Sequence, residues 1–313
     1  MKVVFMGTPE FAAICLDRII DSTHEVVGVV SVPDKPAGRG QKLSQSAVAK
    51  LAIEKNIPLF QPEKLRNSEF IQNLKDLNAD AFVVVAFRML PKDVWQIPSK
   101  GTFNLHASLL PQYRGAAPIN WAIINGETET GVTTFLIDEK IDTGNILLKE
   151  KIAILPEDNV GTLHDKLAEI GKDLIVQTLD GLEKGELTPQ PQDNSAELKS
   201  AFKIFKEDCK IDWTDSLVNI HNKIRGLSPY PAAWSYIQKG EEVKSMKIYN
   251  GRMEKAENAE DEWNMIDFSQ NEIRIKLPKG NYILEELQPE GKKRMPAKDF
   301  INGLHDKKGW KIA

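Results

Sequence analysis

Cysteine is nearly absent: Cys15 and Cys209 are the only two in 313 residues, too few for a disulfide framework and without metal-ligand spacing. Such usage suits a reducing compartment. No run approaches the roughly 18 apolar residues of a membrane-spanning helix, and the apolar start Met1 to Phe5 is too short for a secretion signal. Cytoplasm is therefore the expected location, with no membrane and no protein partner evident. Charge of one sign is lacking too. A formal net charge of -4, from 41 Lys+Arg against 45 Asp+Glu, leaves any nucleic-acid contact to local patches. Histidine is sparse, and His24, His164, His221 and His305 have no Cys, Asp or His partners at ligand spacing, so no metal site is expected. Of a dinucleotide-binding G-x-G-x-x-G only Gly7 is present, which argues against a nucleotide cofactor.

Present instead is 41% hydrophobic content in a chain long enough for a large core and, by size, for two domains. Val3-Val4-Phe5 reads as a buried strand, which Gly7-Thr8-Pro9 turns into a helix with Thr8 as its cap. Strand-like and helical stretches then alternate: Val26 to Val30, Ser46 to Lys55, Pro58 to Phe60, Leu65 to Leu77, Ala81 to Ala86. This predicts an α/β fold with a doubly wound, mostly parallel sheet. Helical spacing also marks residues 160–184, and the proline- and glutamine-rich Gly185 to Ser195 reads as a linker. We expect a catalytic domain over residues 1–190, a linker over 191–207 and a carboxyl-terminal domain over 208–313. Five short strand-like runs from Ala233 to residue 288 suggest a small β-barrel there, though spacing alone also allows another small β-domain.

The densest chemistry lies at Asn104-Leu105-His106. Phe103 to Leu105 reads as the end of a buried strand, so Asn104 and His106, two apart, project to one side. An amide is a donor for a developing oxyanion, an imidazole gives or takes a proton near pH 7, and a carboxylate such as Asp142 would orient the ring. That set suits acyl transfer without a covalent enzyme intermediate. The same residues also fit an ordinary strand end with a satisfied core histidine and a turn residue before Gly144.

Asn-x-His followed by Ser108-Leu109-Leu110-Pro111, Tyr113-Arg114-Gly115-Ala116-Ala117-Pro118 and then Asp142-x-Gly144 resembles the formyltransferases that use 10-formyltetrahydrofolate. Gly7-Thr8-Pro9-Glu10-Phe11 and Pro36-Ala37-Gly38-Arg39-Gly40 narrow the resemblance to those acting on initiator methionyl-tRNA. It covers roughly residues 1–190 well and the rest more loosely. It implies Asn104, His106 and Asp142 as the catalytic set, with a carboxyl-terminal barrel of OB type. Folate would lie against Ser108, Leu109, Leu110 and Pro111, and against a pterin wall from Phe87, Arg88, Met89 and Leu90. Arg88-Met89 departs from the family pattern, in which a glycine follows the aromatic residue. A basic loop bearing Lys35, Arg39 and Lys42 would meet the acceptor end of the tRNA.

Lys199, Lys203, Lys206 and Lys210 recur at intervals of four, three and four, so a helix here would line four ammonium groups along one stripe for RNA. A solvated helix face has the same pattern. Arg114 suits either an anion or the pinning of its own loop. The nearest rival activity is a related formyltransferase or hydrolase acting on a small amine or on water. A binding module without catalysis is the rival from another class, and the Asn104, His106 and Asp142 set speaks against it.

Overall fold

Val3, Val4, Phe5 and Met6 are fully buried, as a strand covered on both faces requires. In this computed structural model residues 1–37, 42–193, 195, 197–255, 263–268, 271–278 and 280–313 are described, excepting the side chains of 36, 37, 42 and 43. Strand β1 (Lys2–Gly7) is an interior strand of a seven-stranded sheet with β2 (Glu25–Val30), β3 (Leu59–Phe60), β4 (Ala81–Val85), β5 (Thr102–His106), β6 (Glu129–Leu136) and β7 (Ile146–Ala153). The spatial order is 3-2-1-4-5-6-7, parallel from β3 to β5 and antiparallel for β6 and β7. Direction of winding reverses between β1 and β4, and open α/β sheets bind ligands at carboxyl strand ends near such a reversal.

Helix α1 (Glu10–Ile20) follows β1 through Gly7, where an added Cβ would stand 2.7 Å from Ala12 Cβ and 2.9 Å from the Phe5 ring. That crowding explains the glycine. The expected Thr8 cap does not form, because Pro9 occupies the cap position and its carbonyl receives the Ala12 and Ala13 amides. Helix α2 (Ala47–Glu54) is capped by Ser46, whose hydroxyl accepts from Ala49 N. On one sheet face Val4, Met6, Val30, Phe82 and Val84 pack with Phe70 and Leu74 of α3 (Ser68–Asp76) and Val94 of α4 (Lys92–Trp95). Helices α5 (Pro118–Ile124) and α6 (Val160–Lys184) complete this part of the chain order. His24 bonds Asp180 of α6 through Nε2 at 3.0 Å, and Glu183 lies close enough that the three offer ligand atoms within 4.8 Å of one another.

Two compact units result. One comprises Met1–Pro118, Glu129–Ala153 and His164–Ser200; the other takes Ile119–Thr128, Ile154–Leu163 and Ala201–Ala313. Within the second, Asn120 Nδ2 donates to Gly226 O at the end of α7 (Leu217–Leu227). Strands β8 (Ala233–Lys239), β9 (Glu242–Lys255), β10 (Ile266–Asp267), β11 (Ile273–Leu277) and β12 (Gly280–Pro289) match the five expected runs. Two shorter pieces, β13 (Met295–Pro296) and β14 (Lys311–Ile312), flank α8 (Ala297–Asn302). Ile266 N donates to Trp310 O and Ile312 N to Asn264 O, so the ends of the antiparallel ladder meet and close a barrel. Its core holds Ile248, Ile275, Tyr282, Leu287 and Ile301. Both cysteines are buried: Cys15 inside α1, and Cys209 with its thiol donating to Phe205 O. Among the described residues no helix is long and apolar enough to cross a membrane.

Candidate active site

Asn104 and His106 occupy the carboxyl end of β5, which β4 and β6 flank with Val84 opposite Asn104 and Thr133 opposite His106. Asn104 is half-buried, and its side-chain amide makes no hydrogen bond among the described residues. It is therefore open to an incoming oxygen. His106 is only 8% exposed, and its Nε2 lies 2.8 Å from Tyr113 O. A carbonyl only accepts, so Nε2 carries a proton and Nδ1 is the nitrogen left for chemistry. Tyr113 holds a left-handed φ of 60°, and its own amide donates to Lys199 O at 2.7 Å.

The sequence assigns ring orientation to Asp142, and the structure corrects this. Asp142 Oδ2 stands 3.9 Å from Nδ1, beyond hydrogen-bond reach, and accepts instead from Gly115 N at 2.9 Å. The Tyr113 carbonyl orients the ring, and the Asp142 carboxylate faces Nδ1 without a hydrogen bond to it. A backbone carbonyl seven residues downstream has no side-chain signature, which is why sequence reasoning missed it. Asp142 is itself at φ 55°, and Gly144 packs so tightly that an added Cβ would come within 1.6 Å of Leu136 O.

The loop Ser108 to Pro111 is built onto the sheet. Thr133 Oγ1 donates to Ser108 O and accepts from Leu110 N, Ser108 Oγ donates to Gln112 O, and Lys149 Nζ donates to Leu110 O. Leu110 is fully buried with Phe135 and Ile146. Its side chain is core, so any ligand contact at this position is through backbone. Leu109 and Pro111 are half-buried. On the facing stretch Phe87 is half-buried, Met89 is 68% exposed and Leu90 is buried. Arg88 donates to Pro62 O and Glu63 O, with its charge partly desolvated and its pKa held below the ordinary guanidinium range. Arg114 pins a loop, donating through Nε and a terminal nitrogen to Gln192 Oε1.

The lysine stripe needs a second correction, since residues 199–210 are not an α-helix. Ser200–Ala201 is a two-residue strand, residues 202–205 are irregular, and a short 3-10 turn follows at Glu207–Cys209. Indole donors take the carbonyls a helix would have used: Trp121 Nε1 bonds Phe202 O and Trp234 Nε1 bonds Lys206 O, while Asp208 accepts from Phe205 N. Lys203, Lys206 and Lys210 are exposed and lie over the rings of Phe205, Trp234 and Tyr236 at 5.3, 6.0 and 5.6 Å. Phe202 and Phe205 are 71% and 57% exposed. The result is a strip of cations interleaved with aromatic faces. Lys199 is exposed, with its backbone tied to Tyr113 and Gln112. Lys35 is exposed; Arg39 and the Lys42 side chain lie outside the described residues.

Residues 1–179 match the sequence profile of the formyl transferase family, and residues 203–305 match that of the formyl transferase carboxyl-terminal domain. The chain is 51% identical to the methionyl-tRNA formyltransferase of Flavobacterium johnsoniae over 97% of this chain and 96% of that one. Identity to the enzyme of the same name from Bacteroides fragilis is 45%, over 100% and 98%. Among solved structures, a sugar 3N-formyl transferase crystallised with dTDP and 5-N-formyl-THF is similar with a TM-score of 0.65 at 21% identity, covering 94% of this chain and 99% of that one. HypX from Aquifex aeolicus in complex with tetrahydrofolic acid has a TM-score of 0.64 at 17% identity, over 96% and 47%. These last two likenesses concern the fold. Two matched domains in order and near-complete coverage by relatives make the conclusion plain: this chain belongs to the formyl transferase family.

Proposed function

We propose that the chain transfers the formyl group of 10-formyltetrahydrofolate to the α-amine of methionine on initiator methionyl-tRNA. The observation that carries this reading is identity of 51% across nearly the whole chain to a relative of that name. In the proposed reaction the neutral amine attacks the formyl carbon, a C–N bond forms and the carbonyl pair moves onto oxygen. Asn104, whose amide is open, donates to that oxyanion. His106 Nδ1 takes the proton shed by the new ammonium, and Asp142 at 3.9 Å balances the imidazolium. The oxyanion pair then re-forms the carbonyl, the carbon–N10 bond breaks, and the same proton passes to N10, which leaves as a neutral amine of tetrahydrofolate. Every atom and charge is accounted for without a nucleophilic side chain.

Folate binding is proposed for the backbone of Ser108 to Pro111 and the stretch Phe87 to Leu90. For the tRNA, the strip of Lys203, Lys206 and Lys210 with its exposed aromatics supplies phosphate-neutralising cations beside stacking faces, a combination suited to RNA. Arg39 is proposed to meet the acceptor end. Incubation with 10-formyltetrahydrofolate and charged initiator tRNA, scored for formylmethionine beside a small-amine control, tests the reading. Formylation of the small amine alone would transfer the chain to the small-substrate branch of the family.

A further inference from the structure

Gln192 is only 8% exposed, yet it sits in a stretch whose composition reads as linker. Its Oε1 accepts from Arg114 Nε at 3.1 Å and from a terminal Arg114 nitrogen at 2.6 Å. Its Nε2 donates to Asp142 O and to Gly144 O, both at 2.9 Å. Arginine can only donate and a carbonyl can only accept, so the amide has one chemically consistent orientation. Two lone pairs and two N–H groups are thereby all used.

The partners make this more than a satisfied core amide. Asp142 is a non-glycine residue at φ 55°, a conformation that persists only where the surroundings hold it. The Gln192 amide bonds the carbonyl of that residue and the carbonyl two residues on. Gly115 N, next to Arg114, holds the carboxylate itself. Gln192 therefore joins the two loops that meet at Asp142. Neighbouring residues reinforce the strap: Gln190 exchanges backbone hydrogen bonds with Ile146, and Lys199 O receives Tyr113 N, whose carbonyl fixes His106.

We infer that Gln192 is a positioning residue for formyl transfer, setting the separation of Asp142 from His106 Nδ1 through the Asp142 and Gly144 carbonyls. This rests on the proposed reaction, in which Asp142 balances charge on His106. Gln192→Glu keeps an acceptor for Arg114 but turns an oxygen toward two carbonyls, and Gln192→Met keeps the length with no polar group. Displacement of a reacting geometry by about 1 Å costs up to roughly 100-fold.

The expected result is a kcat at least about tenfold lower in both variants, with KM for folate and tRNA held within about threefold and cooperative thermal unfolding retained. Because the residue acts through Asp142, Gln192→Met should add nothing to the loss caused by Asp142→Asn. A merely structural role would lower the unfolding temperature and leave kcat unchanged. Near-normal kcat in a folded Gln192→Glu, or losses that multiply in the double variant, would overturn the inference. Should the Met variant not fold, the Glu variant, which retains its tie to Arg114, decides alone. Wild type in the same assay separates the two claims: an inactive wild type defeats the reaction, whereas a fast Gln192→Glu beside an active wild type defeats only the strap.

Discussion

Replacement of Asp142 by Asn removes one charge while nearly preserving shape, since the Asn oxygen can still accept from Gly115 N. At 3.9 Å and an effective dielectric near 20, a carboxylate attracts an imidazolium by about 4 kcal/mol, and it attracts the neutral ring by almost nothing. The full interaction applies if the proton has reached Nδ1 in the transition state. If transfer is half complete, about 2 kcal/mol is lost. Each 1.4 kcal/mol is tenfold in rate, so kcat should fall between about 30-fold and 1,000-fold. Both side chains are largely buried, so salt should screen the effect little. Rapid-quench single-turnover measurement with both substrates saturating, at low and high salt, reads this directly. A loss below about threefold would refute the charge argument, and a loss expressed only in KM would move Asp142 from chemistry to binding.

Replacing Lys203, Lys206 and Lys210 together by Ala should weaken initiator tRNA binding and flatten the salt slope by about one unit per lost phosphate contact, with kcat little changed; unchanged affinity and slope in a filter-binding titration would leave the strip a solvated face. Gly144→Ala forces a methyl toward Leu136 O, so both unfolding temperature and kcat should drop, and normal activity would show that the Asp142 loop adapts. His221 is half-buried beside the Tyr282 hydroxyl, and that partial burial lowers its pKa below the ordinary histidine value. The unfolded chain then binds more protons than the native one below about pH 6.5. Its contribution is present above that pH and lost as pH falls through the depressed native pKa. Thermal unfolding of His221→Gln from pH 7 to pH 5 should accordingly show a shallower acid decline than wild type.

Asn104 and His106 were legible because a strand has period two and the apolar run before them ends there. Five barrel strands were legible because turn residues bound them, whereas Met295–Pro296 and Lys311–Ile312 are too short to leave a pattern. Other features depend on partners distant in sequence. The 4-3-4 lysine spacing does imply a stripe if a helix forms, but two indole N–H groups, from Trp121 and Trp234, bond carbonyls of that segment, which runs as irregular chain into a 3-10 turn. Gln192 reads as linker composition until Arg114 and the Asp142 carbonyl are brought to it. Leu110 lies in the motif the family resemblance assigns to folate, yet its side chain fills the core; a motif does not say which atoms of a residue face the ligand.

Burial of both cysteines has a practical consequence for watching the reaction. Cys15 is fully buried and desolvation pushes its thiol well above the usual range, while Cys209 is 2% exposed and raised for the same reason. Thiolates do the alkylating, so neither native sulfur competes for a maleimide dye in the folded protein. A single Lys35→Cys substitution on the exposed start of the basic loop would therefore accept a fluorophore without prior removal of native cysteines. Such a label would test in real time the acceptor-end contact proposed for this loop, separating that docking step from the chemistry proposed for Asn104, His106 and Asp142.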